Sequence, residues 1–119
     1  MVTTYYALRC YAKRSIVEAM PNDPSVLILT SLAAGPKHGH ALAADIRDFA
    51  SVELGPGTLY GAITRLDERG LIEALPAEER RRPYRITAAG RAALAESVHE
   101  MHRVAATGAQ RLLMAPRMA

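Results

Sequence analysis

Between Gly55 and Ile72 the chain reads GPGTLYGAITRLDERGLI, and this stretch restricts the fold more than any other. Pro56 stands where a helix prefers to begin, because an N–H at that position would have no partner inside the helix. Leu59, Ile63 and Leu66 then share one helical face, while Thr58, Tyr60, Gly61, Thr64, Arg65 and Asp67 point elsewhere. Gly70 supplies the left-handed residue that closes a helix, and Leu71-Ile72 opens a strand. The spacing predicts a helix with one apolar stripe for a core and an outer face of small, hydroxylated and cationic groups. An outer face of that kind suits the major groove of DNA.

The residues that follow extend the pattern. Leu71 to Leu75 is an apolar run of strand length, and Tyr84-Arg85-Ile86-Thr87 alternates in character as a half-buried strand does. The polar connection between them, Pro76 to Pro83, carries Arg80, Arg81 and Arg82. A helix followed by a two-stranded ribbon with a basic tip is the plan of a winged helix-turn-helix, in which the helix reads bases and the wing touches phosphate. The three arginines are the expected phosphate clamp, against the alternative of a solvated charge run beside Glu78 and Glu79. Thr58, Thr64 and Arg65 are the expected groove-facing residues, with pairing of Arg65 to Asp67 or Glu68 as the plainer alternative.

Upstream, Asp23 and Pro24 mark a helix start, Val26, Leu27, Ile28, Leu29 and Leu32 supply core residues, and Gly35-Pro36 ends the element. A second helix is expected from Gly39 to Ala50, with Leu42, Ile46 and Phe49 on its buried side, and Ser51 to Gly55 turns into the next. Lys37 and His38 precede this second helix, where cations and free N–H groups can meet a phosphate; an exposed turn is the alternative.

Thr87 is placed to cap a last helix running from Ala88 to about Met114. Leu94, Val98, Met101, Ala105, Gly108 and Leu112 alternate spacings of 4 and 3, the mean repeat of a coiled-coil seam, although Gly108 weakens it. At ~1.5 Å per residue such a helix is roughly 40 Å long, more than a small winged domain covers by itself. Each large side chain left in water forgoes ~1.5–3 kcal/mol relative to burial. A second copy is the simplest cover, so Leu94, Val98, Met101, Ala105 and Leu112 are assigned to dimerisation. The fold class is mainly α with a small two-stranded β wing: a winged helix-turn-helix domain plus a long C-terminal dimerisation helix.

The string Pro56-Gly57-Thr58-Leu59-Tyr60, then Arg65-Leu66, Gly70-Leu71-Ile72 and Tyr84-Arg85-Ile86-Thr87-Ala88-Ala89-Gly90-Arg91, resembles the PadR-like transcriptional regulators. Ile28-Leu29, Leu32, Gly35-Pro36 and His38-Gly39 resemble the same family's opening helix and turn, so the likeness runs from about Val26 to Ala95. The chain departs from the family pattern at His40, where Tyr is usual, at Gly55, where Ser is common, and at Gly61, where Pro often follows the Tyr. The resemblance implies contact with double-stranded DNA through Pro56, Gly57, Tyr60 and Tyr84 in addition to the residues above. It also implies a homodimeric repressor on an inverted-repeat operator. A small aromatic or hydrophobic effector would relieve binding from a pocket at the dimer interface, although the chain has no Trp to stack a flat ligand.

Composition sets the remaining bounds. A chain of 119 residues, half of them hydrophobic, predicts one small folded domain whose core is aliphatic, since it holds one Phe and no Trp. The net charge of +3 is compatible with nucleic acid, and the densest cationic cluster lies on the expected wing. A single cysteine, Cys10, fits a reducing cytoplasm, and no apolar run approaches the ~20 residues that span a membrane. Residues 1–22 are expected as an N-terminal extension, with Leu8, Ala12, Ile16 and Ala19 at helical spacing, or as sequence upstream of a natural start at Met20. The DNA-binding domain is then 23–87 and the dimerisation helix and tail 88–119. His99 and His102 lie three apart on the last helix without further ligands around them, so no metal is expected and no cofactor. No phosphate loop, nucleophile elbow or paired-carboxylate motif is present, so an enzyme is not expected. The reading from another class is a winged-helix protein-interaction module that does not bind specific DNA, which the basic wing argues against.

Overall fold

The computed structural model describes residues 22–114 and residue 116. Four helices and three short strands follow one another: α1 (Pro24–Ala33), β1 (Lys37–His38), α2 (Gly39–Ala50), α3 (Pro56–Glu68), β2 (Ile72–Ala74), β3 (Pro83–Ile86) and α4 (Ala88–Leu112). The expected amphipathic helix before Met20, Cys10 and the question of the natural start lie outside the described residues.

The helix starts are chemical. Asp23 accepts from the Ser25 N–H at 2.9 Å and so satisfies one of the four unpaired donors at the head of α1, with Pro24 at its first position. Thr87 does the same for α4, accepting from the Gly90 N–H at 3.0 Å. Pro56 begins α3 without a side-chain cap. At the end of α3, Gly70 takes φ +74°, its N–H donates to the Asp67 carbonyl and the Leu71 N–H reaches back to Leu66. That pair of bonds is the Schellman closure, and it needs a residue tolerant of positive φ at Gly70.

α1 is the centre of the molecule. Val26, Leu27, Ile28, Leu29, Ser31 and Leu32 are all buried, and α2, α3, α4 and β3 pack around them. The rest of the core is Leu42 and Ile46 of α2, Leu59, Ala62, Ile63 and Leu66 of α3, Ile72 and Ile86 of the sheet, and Leu94 of α4. Phe49 departs from the expected core set: its side chain is 47% exposed at the far end of α2, where spacing continues but no neighbour covers it. The sheet has one strand more than the sequence shows. β3 is central, with β2 on one side (Ile72 opposite Ile86, Glu73 opposite Arg85) and the two-residue β1 on the other (Lys37 opposite Tyr84, His38 opposite Pro83). Two residues carry no readable alternation, so β1 exists only through its partner.

One close approach fixes α4 against the end of α3. A Cβ built on Gly90 would stand 2.0 Å from the Leu71 carbonyl oxygen, a backbone atom that cannot step aside. Gly61, in the middle of α3, has only Arg65 Nη1 at 3.5 Å. The two glycines should therefore respond oppositely to alanine. Gly90→Ala is expected to lose about 1–3 kcal/mol from overpacking, and Gly61→Ala to gain roughly 0.5–1 kcal/mol from helix propensity. Urea unfolding followed by circular dichroism measures both, and equal effects would contradict the packing described.

Candidate nucleic-acid interface

The outer face of α3 is open. Thr58, Tyr60, Thr64 and Arg65 are exposed, while Leu59, Ala62, Ile63 and Leu66 hold the helix to the core. Thr64 Oγ1 donates to the Tyr60 carbonyl at 2.9 Å, which fixes its rotamer and leaves the oxygen's lone pairs outward. The Arg65 side chain has no ion-pair or hydrogen-bond partner among the described residues, so it is not paired with Asp67 or Glu68. Pro56 and Gly57 are exposed at the head of the helix, and a Cβ on Gly57 would meet nothing within 4 Å.

The wing is a continuation of the β2–β3 ribbon. Leu75 N–H donates to the Pro83 carbonyl at 2.8 Å, and Glu78 and Arg81 exchange backbone bonds of 2.7 and 2.9 Å around a turn made by Glu79 and Arg80. Glu79 sits at φ +56°, in the left-handed region, so the tip is mildly strained. Arg80, Arg81 and Arg82 are all exposed. Arg82 donates to the Leu75 carbonyl at 3.2 Å, and Arg80 has no partner among the described residues. Arg85 is paired across the strands with Glu73.

These two surfaces meet at the start of α2. Because β1 pairs with β3, His38 lies opposite Pro83, and Arg81 Nη1 comes to 3.4 Å from His38 Nε2. His38 is also the N-cap of α2, its Nδ1 accepting from the Ala41 N–H at 3.3 Å. The two ring nitrogens of His38 thus face the Ala41 N–H and the Arg81 guanidinium, and which of them carries the hydrogen depends on the tautomer. The next residue, Gly39, is buried beneath Tyr60: a Cβ there would stand 2.4 Å from the Tyr60 hydroxyl. Arg81 of the wing and Tyr60 of α3 thus touch consecutive residues of the α2 start. His40 stacks on His38 with ring centroids 6.5 Å apart. Gly39 was not among the expected site residues; its small size matters only because of a ring from another helix, which spacing does not reveal.

Two expected site residues turn inward. Lys37 Nζ donates to the Ser31 carbonyl at 2.6 Å and lies 3.9 Å from Asp45 Oδ2, whose same oxygen accepts from the Ser31 hydroxyl at 2.6 Å. The lysine therefore ties the end of α1 to α2, which corrects the expectation of an outward cation. Tyr84 is half-buried and packed on the hydrophobic core from the centre of the sheet, so its ring supports the wing from behind.

The expected dimerisation stripe divides in two. Of the residues expected in the dimerisation seam, Leu94 is buried and Met101 half-buried against this subunit's own core. Beyond them the same face runs past the end of the domain, and Val104, Ala105 and Leu112 are exposed, Leu112 to 87%. Val98, beside the buried stripe, is half exposed. Among the described residues no group of three or more His, Cys, Asp or Glu is arranged to hold a metal ion, and no helix is long and apolar enough to cross a membrane.

Replacing Lys37 tests the inward bond directly. Lys37→Met removes a charge-assisted hydrogen bond and should lower stability by about 1–2 kcal/mol. Chemical denaturation measures it, and an unchanged midpoint would mean that the ammonium is free.

Residues 28–96 match the transcriptional regulator PadR-like family. An uncharacterized 37.1 kDa protein in transposon TN4556 of Streptomyces fradiae is 43% identical over 83 residues, which is 70% of this chain and 24% of that protein. The chain thus spans about a quarter of that relative's length. Among solved structures, a PadR family transcription regulator from Clostridium difficile superposes with a TM-score of 0.67 at 24% identity, covering 75% of this chain and 97% of that one. A transcriptional regulator from Clostridium thermocellum gives a TM-score of 0.64 at 26% identity, covering 76% and 92%. The structures speak mainly to the fold, and the sequence match covers more than half of the chain. It belongs to the PadR-like family of winged-helix transcriptional regulators.

Proposed function

We propose that this chain is a sequence-specific DNA-binding repressor that acts in the cytoplasm as a homodimer on an inverted-repeat operator. The observation that carries the reading is the contiguity of the α3 face, the α2 start and the wing, through Tyr60 against Gly39 and Arg81 beside His38. Thr58, Thr64 and Arg65 face base edges in the major groove. Pro56 and Gly57 let the backbone at the head of α3 approach the duplex. Tyr60, His38, Arg80, Arg81 and Arg82 take phosphates. His38 and Arg81 act as a pair, because their side chains lie side by side where one phosphate can reach both. Residues 23–87 form the DNA-binding unit, and the outer half of α4, with Val104, Ala105 and Leu112, covers its counterpart in a second copy. A small hydrophobic or aromatic effector that weakens DNA binding is part of this reading, and the family match supports it.

Two measurements test this reading. In Arg80→Ala/Arg81→Ala, affinity for any duplex should fall, and the dependence of log K on log salt should become shallower by about 0.9 for each phosphate that is no longer neutralised. An unchanged slope would mean that the wing does not meet the backbone, and a wild-type protein without salt-dependent binding would favour a protein-interaction module. Val104→Glu/Leu112→Glu alters side chains that are exposed in the subunit, so it should leave the fold intact and convert dimer to monomer. Analytical ultracentrifugation distinguishes the two, and a stable dimer of the double variant would remove α4 from the interface.

A further inference from the structure

We propose that Thr87 and Gly90 are positioning residues that set the spacing between the two half-sites the dimer accepts. The inference rests on the dimeric-operator reading above and extends it to residues that touch neither DNA nor the partner. After the closure at Gly70, two carbonyls lie just past the recognition helix, and both are taken by the start of α4. Thr87 Oγ1 donates to the Gly70 carbonyl at 2.7 Å, and the Thr87 N–H donates to the Leu71 carbonyl at 3.1 Å. The same Thr87 oxygen accepts from the Gly90 N–H at 3.0 Å, so one hydroxyl both caps α4 and grips the exit of α3. Gly90 completes the grip from the other side, since the Leu71 carbonyl occupies the space a Cβ would need. Arg91 adds a bond of 3.3 Å to the Ala33 carbonyl at the end of α1.

This junction is where the helix that holds the second subunit meets the helix that reads the groove. α4 has 25 residues. At ~1.5 Å per residue it is a lever of roughly 37 Å, so a tilt of about 10° at its base moves its far end by ~6 Å. That displacement approaches two base-pair steps of ~3.4 Å. A half-site spacing held to one base pair therefore needs the base of α4 fixed to a few degrees. Buried Leu94 and Ser97 hold the helix down on the core, and the Thr87–Gly90 grip fixes where its axis starts relative to α3.

Capping and gripping can be separated. Thr87→Asp keeps an oxygen to accept from the Gly90 N–H, and Asp is a good N-cap, but it offers the Gly70 carbonyl no hydrogen. Thr87→Val removes both side-chain bonds and Thr87→Ser keeps both, while the backbone bond from the Thr87 N–H to Leu71 remains in every variant. The probe is the duplex that the full-length wild-type chain selects from a random pool, remade with its half-site spacing altered by one and two base pairs in each direction. Affinities by fluorescence anisotropy should fall at least tenfold per base pair for wild type and Thr87→Ser. For Thr87→Asp and Thr87→Val the profile should flatten to within about threefold or move its optimum. Thr87→Asp should melt close to wild type, and Thr87→Val carries the comparison if it does not fold. A sharp wild-type profile that the variants retain, or weaken equally at every spacing, would overturn the positioning role and leave the repressor reading intact. A wild-type profile indifferent to spacing would overturn both.

Discussion

Four consecutive apolar side chains, Val26 to Leu29, are buried in one helical turn, which a helix permits only if neighbours surround it on every side. α2, α3, α4 and β3 are held in place by contact with α1, and β1 and β2 by pairing with β3. α3 gives its Leu59, Ile63 and Leu66 stripe to that centre, and this is why its opposite face is free to be polar. The inward lysine belongs to the same constraint. α1 ends without a basic residue in its last turn, and Lys37 supplies a cation to the Ser31 carbonyl there while Asp45 balances it from α2. A favourable charge at a helix C-terminus thus joins two helices.

Side-chain chemistry that acts within a few residues was legible in the sequence. Asp23, Pro56, Gly70 and Thr87 each satisfy a local backbone requirement and stand where that requirement predicts. Features that depend on contact between distant segments were not legible. β1 is two residues long and becomes a strand only beside β3, and the space over Gly39 is taken by the ring of Tyr60 from another helix. Phe49 continues a spacing past the point where the core stops. Lys37 and Tyr84 have the right residue types for a DNA surface, but their direction is decided by Ser31, Asp45 and the back of the sheet. The candidate site was therefore readable as a set of segments, and less so as a set of side chains.

The wing shows how acidic and basic residues in sequence need not cancel in space. Glu78 and Glu79 adjoin three arginines, and composition alone would leave the tip nearly neutral. Glu78 is fixed by backbone pairing with Arg81, and the turn at Glu79 and Arg80 sends alternate residues apart. Arg81 is then carried to His38 by the β1–β3 pairing, not by attraction to its neighbours.

α4 resolves a conflict that its sequence pattern states without explaining. A 4–3 repeat suggests one continuous seam, yet Leu94 and Met101 face this subunit's own core while Ala105 and Leu112, on the same face, face nothing within it. One helix therefore serves two apolar surfaces in succession, because the domain ends beneath it. The consequence is mechanical. A helix anchored over its first half and free over the remainder transmits orientation from one end to the other, since its backbone hydrogen bonds run along its whole length. What binds along the outer half can reach the reading helix through the core beneath Leu94 and, most directly, through the base of α4, where the Thr87 hydroxyl and the bare Cα of Gly90 meet the carbonyls that end it.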